Sequence, residues 1–114
     1  MPKTFKLPVI FVHLPFLWVG GLTLFPCIFF KQNNPSLRLI NHEQIHIRQQ
    51  VEMGLILFYV WYLVEFLMRW IQYGHRYTAY RNISFEREAY ANDNNLKYLA
   101  TRKLWGFWRY MWQK

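Results

Sequence analysis

Hydrophobic side chains run almost without interruption through two stretches of the chain. Residues 8 to 30 carry no charged side chain, and residues 56 to 73 are apolar on nearly every side. Within the second stretch, polar positions recur every three or four residues, which predicts a helix with one narrow polar stripe. The stripe consists of Tyr62, Glu65, Arg69 and Gln72. We therefore expect this helix to be buried or embedded in a membrane, with Glu65 and Arg69 paired.

The first apolar stretch contains residues that interrupt a helix. Pro15, the pair Gly20-Gly21 and Pro26 all fall inside it. Its length is sufficient to span a bilayer. A Gly-Gly pair between two apolar runs is, however, typical of a hairpin turn. The sequence leaves two alternatives for residues 8 to 30, a short apolar hairpin that turns at Gly20-Gly21 or a membrane-inserted segment.

The rest of the chain predicts a mainly α fold. At 114 residues the chain can bury one core but not two, so residues 1–114 are expected to form a single domain. Residues that favour helices, with apolar side chains at helical spacing, predict the remaining helices, and polar or glycine-containing segments predict where they end. These are a helix over 38–53, an apolar helix over 55–73, a connection over 75–84, a helix over 85–99 and an aromatic, basic helix over 101–112.

Composition and charge point to a surface partner. Fourteen Lys and Arg against six acidic residues give a net charge of +8, and aromatic residues make up 21% of the chain. Beyond Arg69 the basic residues are interleaved with Trp and Tyr, as in the anchors found where a membrane meets water. Membrane lipid is thus an expected partner. Nucleic acid is less favoured because no nucleic-acid-binding module is recognisable. Cys27 is the single cysteine, which excludes an internal disulfide.

The segment His42-Glu43-Gln44-Ile45-His46 carries the candidate chemistry. On a helix, residues four apart lie on one face, so His42 and His46 can present two imidazole nitrogens to one Zn²⁺ ion. Glu43 lies at the edge of that face, where it can hydrogen-bond a metal-bound water and act as a general base. This pattern predicts a zinc site of the metallopeptidase type, with a peptide or protein as substrate.

A catalytic zinc needs a third protein ligand and one open position. Glu86 is the preferred candidate, because it lies on a predicted helix beside Ala89, whose small side chain permits close packing against the first helix. Glu88 is the alternative, since it begins a second Glu-x-x-Ala-Asn pattern, and His75 is a further candidate.

The motif and the helix that follows it resemble the gluzincin zinc peptidases. The run Phe85-Glu86-x-x-Ala89-Tyr90-Ala91 is similar to the ligand helix of membrane-associated members such as CAAX-processing and HtpX-like proteases. More closely, the stretches over 41–50 and 80–89 look like a group of small membrane-associated proteins of the Bacteroidota. That likeness covers most of residues 20 to 110 and brings no known substrate.

The resemblance implies a zincin-like helical domain associated with a bacterial membrane, with the inner membrane as the expected location on either side. It also implies His42, His46 and Glu86 as zinc ligands and Glu43 as the base. The departure from the family pattern is Tyr90. The peptidases usually have Asp there, four residues after the ligand Glu, to hold a metal-bound histidine by a hydrogen bond. Tyrosine carries no such charge at neutral pH.

The zinc hypothesis makes a geometric demand on the fold. An unbroken helix from His42 to Tyr73 would end about 40 Å from His46, a distance that thirteen further residues could barely span. A sharp bend is therefore expected, and Gly54 is the best place for it. The run from Leu22 to Pro26 is also expected as an edge strand beside the site.

Two other functions remain open from the sequence. One is a noncatalytic, metal-stabilised protein that uses its aromatic, basic surface to bind lipid or a partner. The other is a helical protein of the membrane interface without metal, in which the histidines are ordinary polar residues. Glu43→Gln distinguishes the enzyme from the metal-stabilised protein, because it removes the base and leaves the metal ligands in place.

Overall fold

The computed structural model describes residues 9–113, so residue 8 of the predicted apolar segment lies outside the described residues. Helices hold more than half of the described residues, which confirms a mainly α fold. A small sheet precedes the helices. The strands are β1 (Ile10–His13), β2 (Gly21–Leu24) and β3 (Cys27–Phe30), and the helices are α1 (Leu37–Met53), α2 (Ile56–Tyr73), α3 (Arg76–Arg81), α4 (Ser84–Asn92), α5 (Tyr98–Thr101) and α6 (Trp108–Met111).

Helix α1 begins and ends with well-defined caps. The Oγ of Ser36 accepts a hydrogen bond from the backbone N–H of Leu39 and satisfies one of the donors left unpaired at a helix start. At the other end, Gly54 adopts a left-handed conformation with φ of 73°, and its N–H bonds back to the last turn. Both ends of α1 are thus fixed by local sequence.

A sharp bend separates α1 from α2, as the zinc hypothesis requires. The two helix axes differ in direction by 116°, and the bend is made by Gly54 together with Leu55, which also has a positive φ of 39°. The expected break at Gly54 is confirmed. Among the described residues, no single helix is long and apolar enough to cross a membrane, whereas α1 and α2 taken together pass that test as a bent pair.

The sheet has the order β1-β3-β2, so β2 is an edge strand. β2 and β3 are antiparallel and form a hairpin, while β1 runs parallel to β3. The hairpin predicted to turn at Gly20-Gly21 is wrong, because the hairpin in this segment joins β2 to β3 through a turn at Phe25-Pro26. Gly21 is instead the first residue of β2, where it lies against the side chain of Glu43.

Aromatic residues join the helices into the main core. Phe85 of α4 is fully buried, with ring centroids 4.4 Å from Phe58 of α2 and 4.5 Å from Phe107. The start of α4 is held by α2, because the Glu65 carboxylate accepts hydrogen bonds from the N–H and the Oγ of Ser84, both at 2.6 Å. The packing of α2 therefore fixes the position of α4.

Three predicted elements in the second half of the chain differ from the structure. The helix expected over 85–99 ends at Asn92, and the connection expected over 75–84 contains α3. The helix expected over 101–112 is absent as a continuous element, because the backbone is extended at Arg102 and has a positive φ at Trp105. The buried Arg102 guanidinium pairs with Glu52 and Glu88. These ion pairs, rather than helical hydrogen bonds, fix the position of this segment.

Candidate metal centre

Helices α1 and α4 bring His42, His46 and Glu86 together. The Oε1 atom of Glu86 lies 3.0 Å from Nε2 of His42 and 3.1 Å from Nε2 of His46. All three residues are buried, and one ligand atom from each lies within 4.8 Å of the others. The two histidines belong to adjacent turns of α1, and the expected third residue comes from the facing helix.

The spacing of these atoms suits a small tetrahedral cation. Ligand atoms about 2.0 to 2.2 Å from Zn²⁺ in a tetrahedral arrangement lie about 3.3 Å from one another. The separations of 3.0 and 3.1 Å fall within a few tenths of an ångström of this value. Small side-chain shifts would therefore admit the ion.

The outer nitrogen of His42 is held by a residue that sequence reasoning missed. Nδ1 of His42 donates to the carboxylate Oδ2 of Asp93 at 2.9 Å, and the other oxygen of Asp93 accepts from Arg38 at 2.7 Å. A carboxylate paired with a cation is an acceptor, so the proton of a neutral His42 ring lies on Nδ1. Its Nε2 lone pair then faces Glu86.

The same arrangement holds His46. Its Nδ1 donates to the amide oxygen of Gln49 at 2.8 Å. The orientation of that amide is fixed, because its nitrogen donates to two acceptors, the carbonyl of Phe85 at 3.1 Å and the Glu88 carboxylate at 2.9 Å. The Nε2 lone pair of a neutral His46 ring therefore also faces Glu86.

Three electron-rich atoms thus converge on one buried point. Two imidazole lone pairs and a carboxylate oxygen repel one another unless a positive charge lies between them. Without a metal, only protons can supply it. Burial lowers the pKa of His46, but the Glu86 carboxylate outweighs this and raises it to about 9. Burial likewise raises the pKa of Glu86, while His46 and His42 lower it well below the usual range. The residues therefore fit a divalent cation.

Glu43 lies between this cluster and the edge of the sheet. Its carboxylate accepts a hydrogen bond of 2.7 Å from Oγ1 of Thr23 on β2. Burial raises the pKa of Glu43, against the lowering effect of His46 and His42. A Cβ atom at Gly21 would lie 2.7 Å from Oε2 of Glu43, so the glycine leaves the space that this carboxylate occupies.

An edge strand lies beside the site as expected, although it ends at Leu24 rather than Pro26, and Gln50 anchors it to α1. The Gln50 side chain donates to the carbonyl of Thr23 at 2.7 Å and accepts from the N–H of Phe25 at 2.8 Å. One backbone group of β2 and one of the turn that follows it are thus already paired with α1. A cleft of about 250 Å³ opens between β2 and α2. Its walls include Glu43, His46, Glu86, Leu22, Leu24, Leu63 and Phe66.

Tyrosine side chains surround the cluster. The hydroxyl of Tyr62 donates to the second carboxylate oxygen of Glu86 at 2.8 Å, which leaves Oε1 directed at the histidines. Tyr90 packs its ring against His42 at a centroid distance of 4.4 Å, and its hydroxyl bonds to that of Tyr80. Tyr90 thus contacts a predicted ligand, but the hydrogen bond to His42 comes from Asp93, three residues further along.

The alternative third ligands lie elsewhere. Glu88 is fully buried, but its carboxylate binds Gln49, Tyr98 and Arg102 rather than the histidines. His75 is exposed and caps the start of α3, where its Nδ1 accepts from the N–H of Thr78. Of the three candidates, only Glu86 meets both histidines.

Comparisons with models of protein families, with curated proteins and with solved structures find no match to this chain.

Proposed function

We propose that the protein is a zinc-dependent hydrolase of peptide bonds, a small metallopeptidase with His42, His46 and Glu86 as its ligands. The observation that carries the proposal is the convergence of three electron-rich atoms beside a buried carboxylate and an open cleft. Two histidines and one glutamate form a three-ligand set typical of catalytic zinc, which leaves one position for water or substrate. We also propose that the chain is related to the gluzincins and that its helices have a zincin-like arrangement.

Zinc, when bound, supplies a Lewis acid that polarises a carbonyl and makes water acidic near neutral pH. The chain's own residues supply the rest. Glu43 accepts a proton from the attacking water and returns it to the leaving amine. Burial raises the pKa of Glu43, so its carboxylate is basic enough to take the proton from water and to hold it until the leaving amine accepts it.

Other contacts prepare the site for that role. Thr23 orients the Glu43 carboxylate through a hydrogen bond of 2.7 Å. Asp93 and Gln49 fix the two imidazole rings, so that both Nε2 atoms point inward. Tyr62 binds the outer oxygen of Glu86 and favours binding of the ion through Oε1 alone. The apolar cleft walls, among them Leu22 and Leu24, favour substrates with apolar side chains.

The first experiment is elemental analysis of the purified protein and of two variants, His46→Ala and Glu86→Ala. We expect near-stoichiometric zinc in the wild type and loss of zinc in both variants. His13→Ala is the matched control, because His13 is exposed on β1 and should leave the zinc content unchanged. Wild-type protein that stays free of zinc after zinc resupply would refute the proposal.

The second experiment measures hydrolysis of a library of quenched fluorescent peptides with apolar residues. Glu43→Gln should retain zinc and lose turnover by a factor of about 10² to 10⁴. Zinc binding without hydrolysis in the wild type would instead support the noncatalytic, metal-stabilised protein. Undiminished hydrolysis by Glu43→Gln would show that Glu43 is not the base.

A further inference from the structure

The outward side of α2 is a broad, exposed apolar surface. Ile71 is 86% exposed, Ile56 76% and Met68 63%, although large apolar side chains are normally covered in a folded domain. The exposed residues span the whole length of the helix. We call them the outer face of α2, and they are Ile56, Leu57, Val60, Leu63, Val64, Leu67, Met68, Trp70 and Ile71.

Tryptophan side chains from the C-terminal segment extend this surface. Trp112 is 68% exposed and Trp108 is 47% exposed. Trp108 packs against Trp61 of α2 at a centroid distance of 6.0 Å, and a groove lined by Val64, Met68 and Trp112 joins the two segments. Tryptophan prefers the boundary between lipid and water, because it combines a large apolar ring with one polar N–H.

The charges on the rest of the surface have one sign. All six carboxylates of the chain are turned inward, and each accepts a hydrogen bond or ion pair from a named partner. Five are buried as whole residues, and the side chain of the sixth, Glu52, is only 4% exposed. The exposed charged side chains of residues 9–113 are therefore all cationic, and they are Lys31, Arg38, Arg76, Arg81, Lys97, Lys103 and Arg109.

We propose that the outer face of α2 docks on an anionic phospholipid surface, with α2 lying in the plane of the interface. The apolar side chains enter the boundary between headgroups and acyl chains, and the cationic surface is attracted by the anionic headgroups. Charge complementarity selects this occupant over a neutral apolar partner. The breadth of the apolar face selects it over nucleic acid, because the sugar-phosphate backbone offers no apolar surface of that breadth to cover these side chains.

Docking in this way would set the substrate class of the site, a consequence that rests on the proposed function. Leu63 belongs to the outer face and also lines the cleft, together with Leu22 and Leu24, which are 41% and 45% exposed. The cleft thus opens beside the docked face. Its substrates are apolar peptide segments that emerge from, or lie on, the same membrane surface.

The test of docking is co-sedimentation with vesicles of equimolar phosphatidylcholine and phosphatidylglycerol, alongside vesicles of phosphatidylcholine alone. We expect strong binding to the anionic vesicles and at least about tenfold weaker binding to the neutral ones. The double variant Val60→Glu, Ile71→Glu should lose anionic binding by at least about tenfold, because two carboxylates replace apolar groups on the docked face.

The matched control is the double variant Leu37→Glu, Leu96→Glu. It adds the same charge at leucines that are 68% and 57% exposed outside the outer face, so it should bind anionic vesicles much more tightly than the α2 variant. Equal binding by the two variants would overturn docking through α2. So would a wild-type dimer that α2 substitution converts to monomer, because a second copy of the chain would then cover the outer face of α2.

A peptide with and without a lipid anchor tests the substrate class. The α2 variant should hydrolyse the anchored peptide on anionic vesicles more slowly than the control does, and the unanchored peptide in solution equally fast. Equal rates on the anchored peptide would overturn the substrate inference. Vesicle binding without any hydrolysis would instead count against the proposed function and leave docking supported.

Discussion

Asp93 and His42 are joined by a hydrogen bond of 2.9 Å that closes the candidate metal centre on its outer side. Asp93 lies just beyond α4, seven residues after Glu86, so that two turns of one helix carry both a ligand and the partner of another ligand. The hydrogen bond to a histidine that the gluzincin resemblance led us to expect from position 90 is therefore made by a carboxylate at position 93.

Asp93→Asn should weaken zinc binding by about 10- to 100-fold, because an amide no longer stabilises the positive charge that His42 gains as a ligand. Competition with a chromogenic chelator measures this affinity. Asn94→Ala is the control, since Asn94 is the exposed neighbour of Asp93. An Asp93→Asn protein with the affinity of the wild type would contradict the assigned role.

Gly21→Ala should reduce hydrolysis by at least about tenfold and leave zinc bound. The new methyl group would lie 2.7 Å from Oε2 of Glu43 and would push this flexible carboxylate away from its position. Gly20→Ala is the matched control in the neighbouring residue, because its methyl group meets Leu39 at an ordinary 3.7 Å. Peptide turnover and zinc content of the two variants provide the comparison, and equal turnover would contradict the prediction.

The metal-free protein should lose stability as pH rises from 6.5 to 9. The pKa of His46 is raised to about 9 by Glu86, in spite of the lowering effect of burial, so the protonated ring stabilises the fold below pH 6.5 and this contribution disappears as pH rises through 9. The loss is on the order of 3 kcal/mol. Thermal unfolding in chelator measures it, and His46→Gln should abolish the trend.

Zinc affinity should change in the opposite direction over the same range. Zinc must displace the His46 proton below pH 9, so the apparent affinity should rise by about tenfold per pH unit as the ring loses that proton. Titrations at several pH values test this prediction. An affinity that is independent of pH between 7 and 9 would show that His46 binds no proton in the free site.

Arg102→Met should destabilise the fold by about 3 to 5 kcal/mol, because it strands the buried carboxylates of Glu52 and Glu88. The Arg102 side chain is 1% exposed and joins α1, α4 and the C-terminal segment. Arg109→Met is the control, since Arg109 is exposed and, within residues 9–113, its side chain bonds only to the neighbouring Tyr110. Urea unfolding compares the two, and equal midpoints would contradict this account of the network.

The parts of the fold that depend on local patterns were predictable from the sequence. The start of α1 after the polar turn, the bend at Gly54 and the apolar helix that ends at Gly74 follow from caps, glycine and helical spacing. The pairing of His42, His46 and Glu86 follows from the motif together with that bend. The helix start, the bend and the helix end are set by residues close together in the chain, whereas the meeting of Glu86 with the histidines also requires the chain to return after the bend.

The parts that depend on distant contacts were not predictable. Arg102 keeps the C-terminal segment extended by pairing with carboxylates up to 50 residues away. The amino-acid composition of this segment therefore predicts a helix that the tertiary contacts prevent. Asp93 lies in the polar sequence that follows α4. Only its position two helical turns after Glu86 could have indicated a hydrogen bond to His42. The hairpin turn was misplaced because Gly21 is required by the close approach of Glu43, not by backbone conformation.

The division of the site between two parts of the chain has an evolutionary consequence. The candidate metal ligands and the residues that orient them come from α1, α2, α4 and the residue after α4, whereas β2 supplies Thr23 and the exposed Leu22 and Leu24 at the cleft wall. Side chains at positions 22 and 24 could therefore diversify without disturbing the ion-binding half. Under the proposed function, substitutions at these two positions would change the substrate selectivity and leave the residues that hold the ion and the base unchanged.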